Sequence, residues 1–346
     1  MRHPVLLFVA LLQLTFVAPK TTLVFFGGRS ASYVTGPLWN MQLDPATGRV
    51  RPWKGGANRL GMGRYGHVAG SSKGRLMLAG GEHYSTDLKV FLYPSNTTLL
   101  YDKESAQFKP GPPMAIGERV YAASAVIDDD FYVCGGSETY VATNLRDTCE
   151  VFSFSSGQWS TLDALLPVAL TGAAAVSHGG SLYLIGGASK WTPGRNDTRL
   201  LKHTPGSGRW ERLTPIKWEV AFHAATVFRA SDGDSRILAC GGNYDGSSLS
   251  WLCHQYDFEV DNWTDFPHLV LVREKFGLLT TDGNQLLAFG YAGRGGTVEK
   301  FSWSKGKWEL VKESMPYQVD AFAAVRVDES AARLRRPGVR ECLLKH

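Results

Sequence analysis

The sequence predicts an all-β fold, a six-bladed β-propeller of four-stranded blades. Three repeated features predict it: an apolar strand that ends in a glycine doublet, an aromatic residue downstream of the doublet, and a strand of small residues upstream. The second positions of the doublets lie 53, 55, 51, 55 and 49 residues apart. A regular period of this length, built on short strands, is typical of a propeller array.

The doublet strand is clearest at residues 130–136, DFYVCGG. Further copies occur at 23–28, 76–81, 182–187 and 237–242, and a degraded copy at 286–291 ends in Gly-Tyr. The apolar residues predict a buried strand. Glycine suits its end because it adopts the positive φ values that other residues resist where a chain turns out of a sheet.

The other two features recur in step with the doublets. The downstream aromatic residues are Trp53, Phe108, Trp159, Trp210, Trp263 and Trp308. Strands of small residues occur upstream at 121–126, 172–176 and 222–226, and again at 319–327, where no doublet follows. Small side chains suit the crowded innermost strand of a blade. A β-sandwich is the alternative fold, but sandwiches do not repeat at this period.

These features resemble the Kelch repeat, which combines a glycine doublet, a spaced Trp and a Tyr-Asp pair such as Tyr101-Asp102 or Tyr256-Asp257. The resemblance covers residues 20–328 and implies four-stranded Kelch blades in one domain. Strand 319–327 then completes the blade that begins at 22–26, so that the C-terminal strand closes the ring and leaves no exposed sheet edge.

Both ends of the chain lie outside this array. Residues 5–18 are almost continuously apolar, interrupted by Gln13 and Thr15, which predicts a secretory signal peptide at residues 1–18. The alternative is that residues 10–18 form the inner strand of blade one. Residues 329–346 form a basic C-terminal tail containing Cys342, either a free thiol or a site of intermolecular contact.

Four of the five cysteines follow the repeat. Cys134 and Cys240 directly precede a doublet, and Cys149 and Cys253 lie ten residues before the Trp of the same blade. Because these positions fall on neighbouring antiparallel strands, we expect the disulfides Cys134–Cys149 and Cys240–Cys253, and hence an oxidising compartment. The alternative is two unpaired buried thiols in each blade.

Three N-glycosylation sequons support an extracellular, secreted location, with a cytoplasmic location as the alternative. Their acceptors are Asn96, Asn196 and Asn262. The predicted positions are loops for the first two and the turn before Trp263 for the third, all of which we expect to be exposed.

We find no catalytic motif and predict neither a cofactor nor a metal site. The net charge of +5 is scattered, so nucleic acid is not an expected partner. Secreted sialic-acid epimerases with Kelch propellers are the enzyme alternative, with Glu82, Glu118, Glu138 or Glu274 as possible acid/base residues. The resemblance also implies hydrogen-bonded structural roles for His67 and His223.

The favoured function is a non-catalytic protein-interaction module. The resemblance implies that loops after the doublet and loops into the inner strand share one face around a central pocket. Aromatic and Arg residues there are the types enriched at interface hot spots. The candidate contact residues are Arg29, Tyr33, Arg64, Tyr84, Arg119, Tyr140, Trp191, Trp218, Tyr244, Arg273 and Tyr291.

Two alternatives remain open at this point. Arg64 and Arg119 occupy one repeat position, where Arg can instead bond neighbouring loops. The alternative function is an intracellular Kelch adaptor or scaffold, which recruits ubiquitin-ligase substrates or associates with actin. It ranks second because the sequence shows no BTB-like helical segment.

Overall fold

The computed structural model describes residues 21–26, 41–43, 50–52, 63–85, 90–102, 107–139, 143–189, 199–244, 248–291, 296–311 and 321–328. Within these ranges all regular structure is β-strand, and none of it is a helix that could cross a bilayer. The predicted signal peptide (1–18) and basic tail (329–346) lie outside the described residues and stay predictions.

The described strands are as follows. The first part of the chain contains β1 (Thr21–Phe26), β2 (Met41–Leu43), β3 (Val50–Pro52), β4 (Gly63–Tyr65), β5 (Val68–Ser72), β6 (Arg75–Ala79), β7 (Glu82–Ser85), β8 (Val90–Pro94), β9 (Thr98–Asp102) and β10 (Gln107–Pro110). The middle contains β11 (Ala123–Ile127), β12 (Asp130–Cys134), β13 (Cys149–Ser153), β14 (Gln158–Leu162), β15 (Ala174–His178), β16 (Ser181–Ile185), β17 (Leu200–His203) and β18 (Glu211–Leu213). The last part contains β19 (Ala224–Arg229), β20 (Ser235–Cys240), β21 (Asn243–Tyr244), β22 (Ser248–Leu249), β23 (Cys253–Asp257), β24 (Asn262–Phe266), β25 (Gly277–Thr280), β26 (Leu286–Tyr291), β27 (Gly296–Ser302), β28 (Lys307–Leu310) and β29 (Ala323–Asp328).

Twenty-four of these strands form six four-stranded sheets, which confirms the predicted all-β, bladed architecture, and the others form a three-stranded sheet (β4-β7-β8) and a two-stranded sheet (β21-β22). In chain order the blades are β29-β1-β2-β3, β5-β6-β9-β10, β11-β12-β13-β14, β15-β16-β17-β18, β19-β20-β23-β24 and β25-β26-β27-β28, and we number them one to six. The C-terminal strand β29 pairs antiparallel with β1, from Thr21 opposite Asp328 to Phe26 opposite Ala323. Blade one therefore contains strands from both ends of the described chain.

A ring of backbone hydrogen bonds connects the entrances of the six innermost strands. Its members are Gly66, Tyr121, Gly172, Phe222, Lys275 and Ala321, whose φ values of 51–64° are all left-handed. Each N–H donates to the carbonyl of the preceding member over 2.7–3.0 Å, and the N–H of Gly66 donates to Ala321 at 2.8 Å. The backbone itself thus holds the blades together around the axis.

The glycine doublets have a steric cause. At Gly135, φ is +66°, and a Cβ atom would lie 2.5 Å from the carbonyl oxygen of Leu170 in the next blade. At Gly136, φ is +90°, and the N–H donates to that same carbonyl at 2.7 Å. The doublet therefore combines a left-handed turn with an approach to the neighbouring blade that no side chain permits.

The hydrophobic core lies between blades, as a stack of repeats requires. One buried cluster joins Tyr132 and Val151 of blade three to Leu184 and Leu201 of blade four. Similar clusters link blades four and five, and blades five and six. Blades three to six thus bury their faces against one another.

The repeated Trp residues attach the outer strands to the chain that enters each blade. The indole N–H of Trp159 donates to the carbonyl of Pro112 at 3.0 Å, and that of Trp263 donates to Thr214 at 3.0 Å. Trp210 and Trp308 make the same bond with Ala164 and Pro267. The periodic Trp in the sequence therefore marks a repeated structural contact.

Candidate interaction face

In a blade of four consecutive antiparallel strands, the connections before the first strand and between the second and third lie at the same end. We call this end the loop face. In blades two to five, the second glycine of the doublet begins the connection between the second and third strands. Its N–H donates to the connection that enters the next blade, as in the bond from Gly187 N to Val220 O (2.8 Å). Both predicted sets of loops therefore lie around the axis together.

Three of the predicted contact residues are buried, which contradicts their prediction as partner contacts. Arg64, Arg119 and Arg273 expose 3%, 1% and 0% of their surface. Each guanidinium group turns into its own blade and donates to backbone carbonyls there. The structure therefore assigns these arginines to bonding between loops, and their charges are not presented to a partner.

Two of these arginines form buried ion pairs of the same design. Arg119 Nε donates to Glu150 at 2.9 Å, and its Nη1 donates to the carbonyls of Gly135 (2.7 Å) and Thr148 (3.0 Å). Glu150 also accepts the N–H groups of the loop that enters the blade.

Blade six repeats this arrangement with Arg273, Glu299, Gly290 and Thr297. Burial lowers the pKa of both arginines, and the paired carboxylate opposes this.

Blade two has the arginine without the carboxylate. Arg64 Nη1 donates to the carbonyls of Gly80 and Thr97, both at 2.9 Å, and its Nη2 lies 3.3 Å from His83 Nε2. Leu99 occupies the place that corresponds to Glu150. Burial lowers the pKa of Arg64 to about 10, and burial with the Arg64 charge lowers the pKa of His83 to about 4.

The axis is covered at the loop face by side chains from the ring. The rings of Tyr121 and Phe222 are 5.2 Å apart at an interplanar angle of 82°. Lys275 Nζ lies 4.8 Å from the Phe222 centroid and 5.7 Å from the Tyr121 centroid, and it donates to Glu274 at 3.4 Å. A desolvated ammonium is stabilised by such π faces. This cluster borders a central pocket of about 150 Å³.

Exposed hydrophobic side chains lie on the loops of blades five and six. Trp218 is 44% exposed and Trp251 is 52% exposed, and Val270 and Leu249 are also exposed. The N–H of Leu269 donates to the carbonyl of Trp251 at 3.0 Å, which joins the two loops. Trp218 was a predicted contact residue, whereas Trp251 was missed because it lies outside the repeated Trp position.

The remaining predicted contact residues fall outside the described part of the structure. This applies to the whole of Arg29, Tyr33, Tyr140 and Trp191, and to the side chains of Tyr84, Tyr244 and Tyr291. Their proposed contacts stay predictions.

The cysteines and sequons are partly described. Cys134 is bonded to Cys149 and Cys240 to Cys253, each across the second and third strands of its blade. Asn262 is exposed, whereas Asn96 is half-buried and donates to the carbonyl of Met114 at 3.2 Å. Asn196 and Cys342 lie outside the described residues.

Three of the possible acid/base carboxylates each contact a different partner residue. Glu82 is buried and accepts the Tyr65 hydroxyl at 2.5 Å. Glu138 pairs with Arg146 at 2.9 Å, and Glu274 contacts Lys275. These contacts indicate structural roles for the three carboxylates.

One histidine differs from its expected role. His223 is buried, and within the described structure its ring nitrogens have no hydrogen-bond partner. Burial lowers its pKa to about 4, so the ring is neutral at physiological pH. The hydrogen bond expected for His223 is therefore not made within the described residues, while its burial agrees with a structural role.

Comparison with known proteins places these observations in context. A model of the Kelch motif matches residues 118–165. Kelch-like protein 40 of Xenopus laevis is 24% identical over 283 residues, which are 76% of this chain and 43% of that protein. Alpha-scruin of Limulus polyphemus is 27% identical over 182 residues, 51% of this chain and 18% of that protein. Kelch repeat and BTB domain-containing protein 12 of Danio rerio is 24% identical over 249 residues, 66% of this chain and 38% of that protein. The chain thus spans less than half the length of these relatives.

Proposed function

Because this chain is a Kelch-repeat protein, we propose that it is a non-catalytic protein-interaction module that binds a protein partner through its loop face. Fold alone does not assign a function, since propellers host many activities. The observation that carries the proposal is the exposure of three hydrophobic side chains on loops of that face, Trp218, Trp251 and Val270.

The scaffold beneath these side chains supports the proposal. Two backbone hydrogen bonds join the loop before β23 to the loop after β24: Leu269 N donates to Trp251 O, and Arg273 N donates to Ser250 O, both at 3.0 Å. Loops held in this way lose little conformational freedom when a partner binds, which favours affinity. Aromatic side chains presented on such loops are typical anchors of protein interfaces.

This proposal has two forms, an adaptor or scaffold form and a secreted form. Two of the three similar proteins carry Kelch names, and one of these is also named for a BTB domain, which favours the adaptor or scaffold form over the secreted form. The secreted form is supported by the two disulfides and by the exposed sequon residue Asn262. We propose the adaptor or scaffold form as the better supported of the two.

The interaction role is tested by affinity capture with quantitative mass spectrometry. The double variant Trp218→Ala/Trp251→Ala should lose the specific partners of the wild-type chain. Trp303→Ala is the matched control, because this partly exposed Trp bonds to Asn284 at the opposite end of the propeller. Partner sets that are identical for all three proteins would refute the proposed face.

The compartment is tested by the intact mass of the chain expressed in eukaryotic cells, before and after glycosidase and thiol alkylation. The adaptor form predicts a cell-retained product without glycans. A secreted product that lacks about 18 N-terminal residues and carries glycans would instead support the secreted form. The partner-capture result is independent of this outcome.

A further inference from the structure

Blade five differs from blades two, three and six at the arginine position. There Val220 stands where the other three blades have Arg64, Arg119 and Arg273. Beside it the structure contains a cavity of about 20 Å³. Its lining includes Trp218, Val220, His223, Ser250, Leu252 and His254, and we call it the blade-five niche.

The other blades show which chemical group this place accommodates. In each of them a guanidinium donates to a pair of carbonyls, such as Gly135 and Thr148 in blade three. Blade five keeps the same backbone, since Gly241 N donates to Leu252 O at 2.8 Å as Gly135 N does to Thr148 O at 3.0 Å. The acceptor framework is therefore retained, and the chain's own donor is replaced by an aliphatic side chain.

Two buried imidazoles also line the niche. His254 lies on β23 at the place that Glu150 and Glu299 occupy in their blades, and it is 4% exposed. Among the described residues the ring nitrogens of His223 have no hydrogen-bond partner, and His254 Nδ1 lies 3.3 Å from the Asp265 carboxylate, which leaves His254 Nε2 without a partner there. Burial lowers the pKa of both imidazoles. Neutral imidazoles accept hydrogen bonds and do not repel a cation.

A pairing of this kind already exists within the molecule. In blade two, Arg64 Nη2 lies 3.3 Å from Nε2 of the buried His83, with no carboxylate in the Glu150 position. At the mouth of the niche, the Trp218 ring lies 6.0 Å from the His254 ring and is 44% exposed. The carboxylate of Asp265, on the other side of His254, is largely in solvent. An indole face and an acidic group are both attractive to a guanidinium.

We propose that the blade-five niche binds an arginine side chain of a protein partner, which supplies in trans the guanidinium that blades two, three and six supply themselves. The inference rests on the proposed interaction function and names one anchor of the partner. The existing cavity has room for about one water molecule. Entry of the guanidinium therefore requires the Trp218 indole to move outward, where it stacks on the bound group.

The first experiment uses the peptide acetyl-Gly-Arg-Gly-amide and the full-length chain, with affinity measured by ligand-observed saturation-transfer NMR. The matched peptides carry lysine, citrulline or norleucine in place of arginine. We expect the arginine peptide to bind at least about tenfold more tightly than each of them, because only a planar cationic fork fits a carbonyl pair and stacks on indole. Equal binding of the norleucine peptide would show an apolar pocket and overturn the proposal, as would equal binding of the lysine peptide.

Protein variants locate the binding. Val220→Arg/His254→Glu rebuilds the ion pair of blades three and six, and it should abolish peptide binding by filling the niche. Trp218→Ala changes a partly exposed side chain, so it should leave the fold intact and weaken binding about tenfold. Trp303→Ala, at the opposite end, should bind as the wild type does. Wild-type binding by Trp218→Ala would overturn the proposal even if the double variant does not fold.

Failure of this inference is distinguishable from failure of the proposed function. If the arginine peptide does not bind while Trp251→Ala still removes the captured partners, the niche is not the anchor site and the loop face remains the interface. If partner capture is insensitive to every loop-face variant, the interaction role itself fails.

Discussion

Blades three and five share a disulfide, yet they stabilise their loop ends in different ways. Both have a disulfide between the second and third strands and a Trp bonded to the incoming chain. Blade three adds the buried pair Arg119–Glu150, whereas blade five has Val220 and the neutral His254 in those places. The covalent and backbone framework is thus common to both blades, and their buried electrostatics differ.

The largest expected effect comes from breaking the pair in blade three. Arg119→Met leaves the fully buried Glu150 carboxylate without its cation, and we expect a loss of about 3–5 kcal/mol in the free energy of unfolding. Val220→Met in blade five is the matched control, and it should cost much less because no buried charge remains behind. Denaturant unfolding of both variants measures the difference. Equal losses would show that the ion pair adds nothing beyond packing.

Acid should affect blade five more than blade three. Burial lowers the folded-state pKa of His223 to about 4 from an ordinary value of 6.5. The unfolded chain therefore binds a proton below pH 6.5 that the folded chain binds only near pH 4, so stability is full above pH 6.5 and is lost as the pH falls. This residue should account for about 3 kcal/mol between pH 7 and pH 4.

The variant His223→Phe tests this account, because blade six has Phe276 at the same repeat position. Its unfolding free energy should decline less steeply between pH 6.5 and pH 4 than that of the wild type. Trp303→Ala, which changes no titratable group, should keep the wild-type slope. A slope unchanged by His223→Phe would contradict the assignment of the proton to this group.

The two disulfides should contribute equally to the free energy of unfolding, because they are a feature that blades three and five share. They close loops with sequence separations of 15 and 13 residues, for which chain entropy gives about 3 kcal/mol each. Cys134→Ala/Cys149→Ala and Cys240→Ala/Cys253→Ala should therefore be destabilised alike in thermal or denaturant unfolding. A loss confined to one blade would indicate that only one bridge forms in the folded protein.

The sequence predicted those elements whose residue type is dictated by the same constraint in every blade. The doublet is such a case, because a Cβ at Gly135 would lie 2.5 Å from a carbonyl oxygen of the next blade. The paired cysteines occur only in blades three and five, and they were predictable because the repeat places Cys134 and Cys149 directly opposite each other in the strand register. Repetition exposes such constraints without any knowledge of the neighbours.

The candidate site was less accessible from sequence. The arginines were placed on an exposed face because residue type does not reveal that their guanidinium groups turn inward. The axial ring was missed because its left-handed backbone is occupied by residues as different as Gly172, Phe222 and Lys275. The blade-five niche was missed because its distinguishing feature is that Val220 replaces an arginine. That replacement is recognisable only when the buried arginines of blades two, three and six are compared with it.

Blade two has the buried arginine of blade three but, like blade five, lacks the carboxylate. It provides the smallest expected effect on stability. Arg64→Met removes donors from the carbonyls of Gly80 and Thr97 but leaves no carboxylate behind, since Leu99 replaces the acid. We expect a loss of about 1–3 kcal/mol in unfolding free energy, the cost of unsatisfied buried acceptors alone. His83, relieved of the nearby charge, should also titrate at a higher pH by NMR, because the Arg64 charge contributes to its lowered pKa. A loss as large as that of Arg119→Met would mean that the carbonyl contacts, and not the carboxylate, dominate all the arginine sites.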